Sequence, residues 1–233
     1  MHYCWFGKNP KSELGQKCIA SWKKHLPDYE FMEWNEDTFD ININLFVNGA
    51  YEKKDWVFVA NYARVWAVNK YGGFNLDTDM EVRKSLNDLL DTHTICGFEM
   101  ANKPFSAFFG AEPNHPFVED IQKFYDEKPE YQLVISTETF NNILINKYGA
   151  DPSKDVIQNL KEGITLYPSN YFSANIPSNY VVHYCEGNWL AEHKHFYSQL
   201  VNSFAIVKYF IENKDSKTTI NHLVHHKKFL MKI

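Results

Sequence analysis

Arginine is the scarcest charged side chain in this sequence. Lysine and arginine together number 24, but only Arg64 and Arg83 are arginines, so lysine supplies nearly all of the positive charge. The formal net charge is −5, whereas a general nucleic-acid-binding protein normally carries a basic face. The composition therefore argues against a nucleic-acid partner. It also makes each arginine informative, either as a structural ion pair or as a contact to a ligand.

Cysteine pairs and long apolar runs are missing as well. The four cysteines lie far apart and include no C-x-x-C pair. This spacing disfavours a zinc site and predicts buried free thiols. No run approaches the roughly 20 apolar residues of a membrane-spanning helix, and no signal-peptide pattern opens the chain. These absences favour a cytoplasmic location.

Strand-like and helix-like segments alternate along the chain. A strand at 2–7, a helix capped by Asn9 with Pro10 as its first residue, and a strand at 29–34 have the spacing of a parallel βαβ unit. Further helices are predicted at 44–54, 55–71, 115–127 and 137–148, and further strands at 74–77, 80–83, 94–100, 106–112, 164–168 and 180–185. The sequence therefore predicts an α/β fold.

Two aspartates, Asp77 and Asp79, lie at the end of the strand predicted at 74–77, just after a helix that Gly72 ends. Ligands of open α/β sheets bind at the carboxyl ends of strands, and alternation in an extended segment puts both carboxylates on one side. Two carboxylates on one side suit a hard cation such as Mg²⁺ or Mn²⁺, which keeps substrate phosphate among its ligands. The stretch therefore predicts a divalent-metal site.

Two other interpretations of this D-x-D stretch stay open. One is a charged hairpin turn, because a D-x-D tripeptide arises about once by chance in a chain of this length. The other is a phosphatase of the haloacid-dehalogenase type, in which Asp77 would be the nucleophile. Against the phosphatase, Glu81 stands where that motif has Thr or Val, and about 75 residues of α/β sequence precede the motif.

Several segments, taken in order, point to one family. They are HYCWFG, CIASWKKHLPDYEFMEWNED, FVANYARVWAVNKYGGFNLDTDMEV and GAEPNHPF, with a weaker match at VVHYCEGNW. Together they resemble the D-x-D sugar-binding glycosyltransferases of family 32, which include bacterial capsule and lipopolysaccharide transferases and share a related core with clostridial glucosylating toxins. The resemblance covers about residues 2–120. It implies a GT-A fold, a mostly parallel mixed sheet flanked by helices, which we assign to 1–195. The residue pattern predicts 196–233 as a C-terminal helical extension packed on the same domain.

The resemblance also implies roles for individual residues at a donor site. Trp5 would stack on the nucleotide base, and Arg64 would contact the sugar or phosphates of the donor. Asp77 would hold the ribose or sugar and a water on the metal, and Asp79 would ligate the metal directly. These roles agree with the chemistry of the side chains, because an indole offers a flat apolar platform and a guanidinium binds phosphate in a bidentate manner.

The segment VVHYCEGNW corresponds to the part of the family that closes over the diphosphate. The resemblance places His183 and Trp189 there, so we expect Trp189 to bind the donor. An imidazole can complete a site of two carboxylates, so His183 is a candidate metal ligand, and a buried histidine of the core is the alternative. Glu186 is the competing third metal ligand. Glu99 and Glu112 end strands near the predicted cleft, with Glu112 facing either a substrate or the solvent. No residue is assigned as a catalytic nucleophile.

Two positions depart from the family pattern. The family has Asp where Asn61 stands in VANYAR, and Tyr where Asn75 stands before L-D-x-D. Asparagine keeps a carbonyl acceptor but loses the charge, so we expect Asn61 to bind donor hydroxyls with reduced strength. Both changes together are also compatible with a catalytically weakened protein that only binds sugar nucleotides.

The function that the resemblance implies is a retaining hexosyltransferase acting on a nucleotide-sugar, with UDP-hexose favoured as the donor and Mn²⁺ or Mg²⁺ as the cofactor. The acceptor would be a glycan or a lipid-linked glycan in bacterial surface polysaccharide synthesis. Residues 220–233 are basic and partly amphipathic, which predicts a peripheral contact with the inner face of the cytoplasmic membrane. An ordinary solvated last helix explains the same residues equally well.

Overall fold

The structure is a computed structural model, and it describes residues 1–100 and 103–185. Its first elements are β1 (His2–Cys4), α1 (Glu13–His25) and β2 (Met32–Trp34). Strands β1 and β2 pair in parallel, and α1 forms the connection between them. The βαβ unit predicted from the sequence is therefore confirmed.

Helix α1 begins later than the sequence predicted. Its N-cap is Ser12, whose hydroxyl oxygen accepts the backbone N–H of Gly15 at 3.0 Å. Asn9 belongs to the preceding loop, where its carbonyl oxygen accepts the indole N–H of Trp5 at 2.6 Å. The prediction of Asn9 as the cap and Pro10 as the first helical residue is therefore wrong. Serine caps a helix as well as asparagine does, and the contact with Trp5 keeps Asn9 outside the helix.

The strands that follow divide between two sheets. They are β3 (Gly73–Leu76), β4 (Met80–Val82), β5 (Thr94–Met100), β6 (Lys103–Ala111), β7 (Gln158–Asn159), β8 (Ile164–Tyr167) and β9 (Val181–His183). The central sheet has the order β2-β1-β3-β6-β5-β8-β7, while β4 and β9 form a separate antiparallel pair. In the central sheet β1–β2, β1–β3 and β5–β8 are parallel, and β3–β6, β5–β6 and β7–β8 are antiparallel. The predicted α/β class with a mixed sheet is confirmed.

Helices cover both faces of the central sheet, as predicted. After α1 they are α2 (Leu45–Glu52), α3 (Trp56–Tyr71), α4 (Pro116–Asp126), α5 (Ser136–Ile143), which continues as a π-helical turn at Leu144–Tyr148, and α6 (Ser169–Phe172), with 3₁₀ turns at Asn87–Leu89 and Lys161–Gly163. Successive residues of a strand point to opposite faces. Cys96 of β5 accordingly belongs to the core cluster that contains residues of α2 to α5, whereas the adjacent Ile95 belongs to the cluster that contains residues of α1.

Gly72 joins α3 to β3 in a conformation that favours glycine. Its φ is 67° and its ψ is −171°, and its N–H donates to the carbonyl oxygen of Val68 at 2.8 Å. A Cβ on this residue would lie 2.7 Å from the Cδ atom of Pro113, which is closer than packed atoms approach. The turn therefore fixes where β3 begins, and with it the position of the residues at the end of β3.

The D-x-D stretch forms the turn between β3 and β4. The Asp77 N–H donates to the carbonyl oxygen of Ala107 at 3.1 Å, and the Met80 N–H donates to the carbonyl oxygen of Asp77 at 3.0 Å. Strand β3 pairs with β1 and β6, whereas β4 pairs with β9. The interpretation as a hairpin turn is therefore wrong, because the flanking strands belong to different sheets. Asp77 lies at the carboxyl end of β3, as predicted.

Four predictions concern residues outside the described part of the chain. They are the donor contact of Trp189, the ligand role of Glu186, the helical extension at 196–233 and the membrane contact of 220–233. The division of the chain at residue 195 therefore stays a prediction. Within the described ranges, no helix combines the length and apolar character needed to cross a membrane.

Candidate functional site

Arg64 and Asp77 form an ion pair at the carboxyl end of β3. One guanidinium nitrogen, Nη1, donates to both carboxylate oxygens of Asp77, at 2.7 Å to Oδ1 and 3.0 Å to Oδ2. The arginine side chain is 6% exposed and the aspartate side chain is 35% exposed. A guanidinium keeps its charge when buried, so it needs an anionic partner at this position. The pair joins a buried, permanent positive charge to a carboxylate that solvent reaches.

The second guanidinium nitrogen of Arg64, Nη2, contacts three side chains from three elements. It donates to the side-chain amide oxygen of Asn61 in a short hydrogen bond, to the Ser106 hydroxyl at 3.2 Å and to the Ser136 hydroxyl at 3.0 Å. The two hydroxyls also lie 2.9 Å apart. Asn61 therefore lies at the site, as predicted. Its side chain contacts Arg64, and its predicted contact with donor hydroxyls stays a prediction. Sequence reasoning missed Ser106 and Ser136, because a single serine carries no spacing signal.

Asn75, the second departure from the family pattern, is buried beside Asp77. Its amide nitrogen donates to the carbonyl oxygen of Ala107 at 3.2 Å and lies 3.5 Å from Asp77 Oδ1. Among the described residues, no hydrogen-bond partner is found for the Asn75 amide oxygen or for the Arg64 Nε atom. A buried polar atom usually has a partner. These two buried atoms are therefore exceptions within the described part of the chain.

Asp79 lies next to His183 because β4 pairs with β9. Met80 is the register partner of His183, and the Tyr184 N–H donates to the Asp79 carbonyl oxygen at 3.1 Å. The His183 Nε2 atom is 3.4 Å from Asp79 Oδ1. Burial by itself lowers the pKa of His183, but the Cys185 sulfur and the Asp79 carboxylate outweigh it. The pKa of His183 therefore lies well above its usual value.

Asp77, Asp79 and His183 form a group that a divalent cation can use. Each offers one ligand atom, and the three atoms lie within 4.8 Å of one another. Burial and the negative charge of Asp79 raise the pKa of Asp77, while Arg64 opposes this shift. A cation would favour the ionised form of both carboxylates, and the two carboxylate oxygens suit Mn²⁺ or Mg²⁺. Because Arg64 already contacts both oxygens of Asp77, Asp79 is better placed as the direct ligand.

The other ring nitrogen of His183 faces a second pair of side chains. Its Nδ1 atom lies 3.4 Å from the carboxylate of Glu99 and 3.4 Å from the sulfur of Cys185. Cys185 is buried with its thiol free, as the sequence predicted for the cysteines. Sequence reasoning placed Glu99 near the cleft but missed its proximity to Cys185. Glu99 belongs to β5 and Cys185 follows β9, so the tertiary fold brings these residues together.

Trp5 lies at the same edge of the central sheet. Trp5 follows β1, and His2 of β1 is the register partner of Asn75 of β3. The carboxyl ends of β1 and β3 therefore lie at about the same height in the sheet. The indole is half-buried, and the ammonium of Lys11 lies 5.9 Å from the ring centroid. The stacking of Trp5 on a base stays a prediction. Glu112 is on the surface, where it pairs with His93 at 2.9 Å.

A comparison with family models identifies the segment that carries this site. Residues 12–95 match the model described as "Glycosyltransferase sugar-binding region containing DXD motif". This segment is a glycosyltransferase-type sugar-binding region. The region includes Asn61, Arg64, Asp77 and Asp79, and the resemblance predicted from the sequence is confirmed. His183 lies beyond the matched residues.

Two solved structures are similar to this chain beyond the sugar-binding region. The "PaToxG Glycosyltransferase" shares 14% identity, with 63% of this chain and 67% of that chain covered and a TM-score of 0.43. A glycosyltransferase involved in the glycosylation of the major capsid of PBCV-1 shares 8% identity, with 86% of this chain and 98% of that chain covered and a TM-score of 0.48. No curated protein matches the chain.

Proposed function

We propose that this protein is a metal-dependent hexosyltransferase that transfers a sugar from a nucleotide-sugar, with UDP-hexose as the favoured donor, to a glycan acceptor with retention of configuration. The observation that carries the proposal is the group of Asp77, Asp79 and His183 within 4.8 Å of one another, at a strand end inside a glycosyltransferase-type region. The role in bacterial surface polysaccharide synthesis, with capsule or lipopolysaccharide as the product, rests on the sequence resemblance alone.

The proposed chemistry centres on the diphosphate leaving group. As the glycosidic bond breaks, negative charge would develop on the phosphates, and Mn²⁺ or Mg²⁺, when bound, would supply the opposing charge without a proton transfer. Asp79 and His183 would hold that cation directly. Asp77 would contribute its exposed face, with Arg64 holding its carboxylate in place through two contacts. Positioning of this kind is a large part of transferase catalysis.

The inner wall of the site would select the donor sugar. The Asn75 amide oxygen and the Arg64 Nε atom are buried, with no partner among the described residues. A donor hydroxyl can donate to the amide oxygen, and a hydroxyl or phosphate oxygen can accept from Nε. Sugar hydroxyls can form hydrogen bonds with such buried polar atoms, whereas an apolar ligand would leave them unpaired. This difference would strongly favour donors that carry the hydroxyls.

Donor hydrolysis tests the proposal directly. The full chain is incubated with a panel of UDP- and GDP-hexoses, and nucleotide release is compared between added Mn²⁺ and excess chelator. We expect release that depends on the cation and is lost in Asp79→Asn but kept in Asp28→Asn, a matched exposed aspartate. Equal release in chelator would refute the metal dependence, and thermal stabilisation by the panel would then report donor binding separately.

Binding without transfer is a second candidate function, and the contact of Asn61 favours it. The Asn61 side-chain amide oxygen accepts from Arg64, so one of its two lone pairs is in use before a donor hydroxyl arrives. A protein of this kind would be stabilised by nucleotide-sugars and would release no nucleotide. A phosphatase with Asp77 as its nucleophile is disfavoured, because both carboxylate oxygens of Asp77 accept from one arginine nitrogen.

A further inference from the structure

We propose that Glu99, His183 and Cys185 form a binding site for a thiophilic divalent cation such as Zn²⁺, and that this site shares the His183 imidazole with the D-x-D cation site. The three residues come from β5, from β9 and from the position just after Tyr184. Their ligand atoms lie within 4.8 Å of one another. The three ligands are distant in the sequence and meet only in the folded protein. The cysteine spacing therefore gave no sign of this site.

The distances between the three ligand atoms match those of a tetrahedral zinc site. His183 Nδ1 lies 3.4 Å from Glu99 Oε1 and 3.4 Å from Cys185 Sγ, and the sulfur lies 3.7 Å from the same carboxylate oxygen. Zinc binds sulfur at about 2.3 Å and nitrogen or oxygen at about 2.0–2.2 Å, so neighbouring ligands of a tetrahedron are about 3.3–3.6 Å apart. A cation could therefore enter with only small movements of the side chains.

The surroundings also suit a thiolate-bound cation. Glu99 is 5% exposed and Cys185 is 8% exposed, and a divalent cation compensates the charge of a buried carboxylate and a buried thiolate. Cys185 has a φ of 50°, a left-handed conformation that costs a cysteine free energy. Three protein ligands leave a fourth position for water or a further ligand.

The shared imidazole makes the two cation sites compete. A neutral imidazole has one lone pair and keeps its proton on the other nitrogen, so it ligates through Nε2 or through Nδ1. Binding of Zn²⁺ through Nδ1 therefore removes His183 from the site of Asp77 and Asp79. This consequence rests on the proposed function: Zn²⁺ would inhibit Mn²⁺-dependent donor hydrolysis by withdrawing a ligand.

Cobalt provides a test of the site that needs no enzymatic activity. The full chain is titrated with Co²⁺ under reducing, anaerobic conditions, and the sulfur-to-cobalt charge-transfer band is followed in the near ultraviolet. We expect the band to saturate at one equivalent and to disappear when Zn²⁺ is added. Cys185→Ala should lose the band, whereas Cys18→Ala, which removes a different buried thiol, should keep it.

Further variants separate this site from the D-x-D site. Asp79→Asn should keep the cobalt band, and Glu99→Gln should weaken Co²⁺ binding by about 10-fold or more. No band in the wild-type protein, or a band that survives in Cys185→Ala, would overturn the proposal and leave Glu99 and Cys185 as groups that orient His183. If donor hydrolysis is absent but the band is present, the proposed function fails while the thiolate site stands.

The inhibition is measured separately from binding. With Mn²⁺ fixed, we expect the Zn²⁺ concentration that halves donor hydrolysis to rise by about 100-fold or more in Cys185→Ala, relative to Cys18→Ala. An unchanged Zn²⁺ sensitivity would show that zinc inhibits through the D-x-D ligands themselves and would refute the competition at His183.

Discussion

Arg64 Nη1 lies 2.7 Å from Asp77 Oδ1, and this contact joins the buried helix α3 to the D-x-D turn. The two residues are 13 positions apart in the chain, separated by the end of α3, the turn at Gly72 and β3. The position of the first aspartate is therefore set by a helix as well as by its own strand. Removing the arginine should affect both stability and donor binding.

Arg64→Met should lower the free energy of unfolding by about 3 kcal/mol, because it leaves a partly buried carboxylate without its cation. The matched control is Arg83→Met, the other arginine, which pairs with Glu81 at 2.9 Å and is 38% exposed. An exposed pair of this kind contributes about 0–1 kcal/mol. Urea unfolding of both variants gives the comparison. Equal losses in the two proteins would contradict a buried structural role for Arg64.

Asn61→Asp should change donor hydrolysis by less than about threefold. An aspartate oxygen can accept from Arg64 Nη2 just as the Asn61 carbonyl oxygen does, so the geometry at Arg64 should persist. Asn61→Leu, which has a similar size but no acceptor, should reduce hydrolysis. Steady-state rates for the two variants decide between the candidates: a gain of more than about tenfold in Asn61→Asp would indicate that Asn61 marks a weakened enzyme.

The repeating patterns of apolar residues predicted most of this fold. The helix predicted at 55–71 is observed at Trp56–Tyr71, and the strand predicted at 94–100 is observed at Thr94–Met100. The position of Asp77 at a strand end followed from the same patterns. The start of α1 could not be predicted, because Asn9 and Ser12 are both good caps and a tertiary contact with Trp5 decides between them.

The contacts within the candidate site were less predictable than the elements that carry them. Ser106 and Ser136 meet at Arg64 through the packing of β6, α5 and α3, and neither has a local sequence signal. Glu99 of β5 and Cys185, which follows β9, are 86 residues apart and belong to segments of different sheets. Such contacts depend on register between distant strands, which periodicity along one strand does not determine.

Binding of Mn²⁺ should release about one proton near neutral pH. The pKa of His183 is well above its usual value, mainly because the Cys185 sulfur and the Asp79 carboxylate outweigh the effect of burial. This shift favours the protonated imidazole, and a cation that binds Nε2 must displace a proton held there. Affinity should accordingly fall as the pH is lowered.

Calorimetry in buffers of different ionisation enthalpy counts the protons released by Mn²⁺. His183→Gln should bind Mn²⁺ more weakly and release no proton from this position. His93→Gln, which changes an exposed histidine paired with Glu112, serves as the control and should release as many protons as the wild type. Release of no proton by the wild-type protein would argue against His183 as a ligand.

Gly72→Ala should destabilise the protein by at least about 3 kcal/mol. The φ of 67° with a ψ of −171° lies in a region that is essentially restricted to glycine, and the new methyl group would lie 2.7 Å from Pro113. Gly149→Ala is the matched control, since Gly149 has a φ of 84° and no atom within 4 Å of an added Cβ. Strain without a clash should cost about 1 kcal/mol there. Because Gly149 has a ψ of 25° and lies in the αL region, equal losses in urea unfolding would show that neither the backbone region of Gly72 nor its contact with Pro113 adds a cost.

His2 should make the protein less stable as the pH falls from about 6.5 to about 4. Its Nε2 atom lies 2.7 Å from the carbonyl oxygen of Gly72, and its Nδ1 atom accepts the indole N–H of Trp34 at 3.2 Å. Both contacts are satisfied by a neutral ring, and burial lowers the pKa of His2 to about 4. The unfolded chain binds a proton below about 6.5 and the folded chain does not, so stability is lost across this window. The loss should amount to about 3 kcal/mol.

His2→Gln isolates this contribution from the carboxylates that titrate in the same range. Glutamine can still donate to the Gly72 carbonyl oxygen, but it has no ionisable group. Subtracting its unfolding free energy from that of the wild type at each pH leaves the part due to His2. We expect the wild type to lose about 3 kcal/mol of unfolding free energy relative to His2→Gln between pH 6.5 and 4, and the difference to stay constant above pH 7. A difference that is independent of pH would mean that the pKa of His2 is the same in the folded and the unfolded protein.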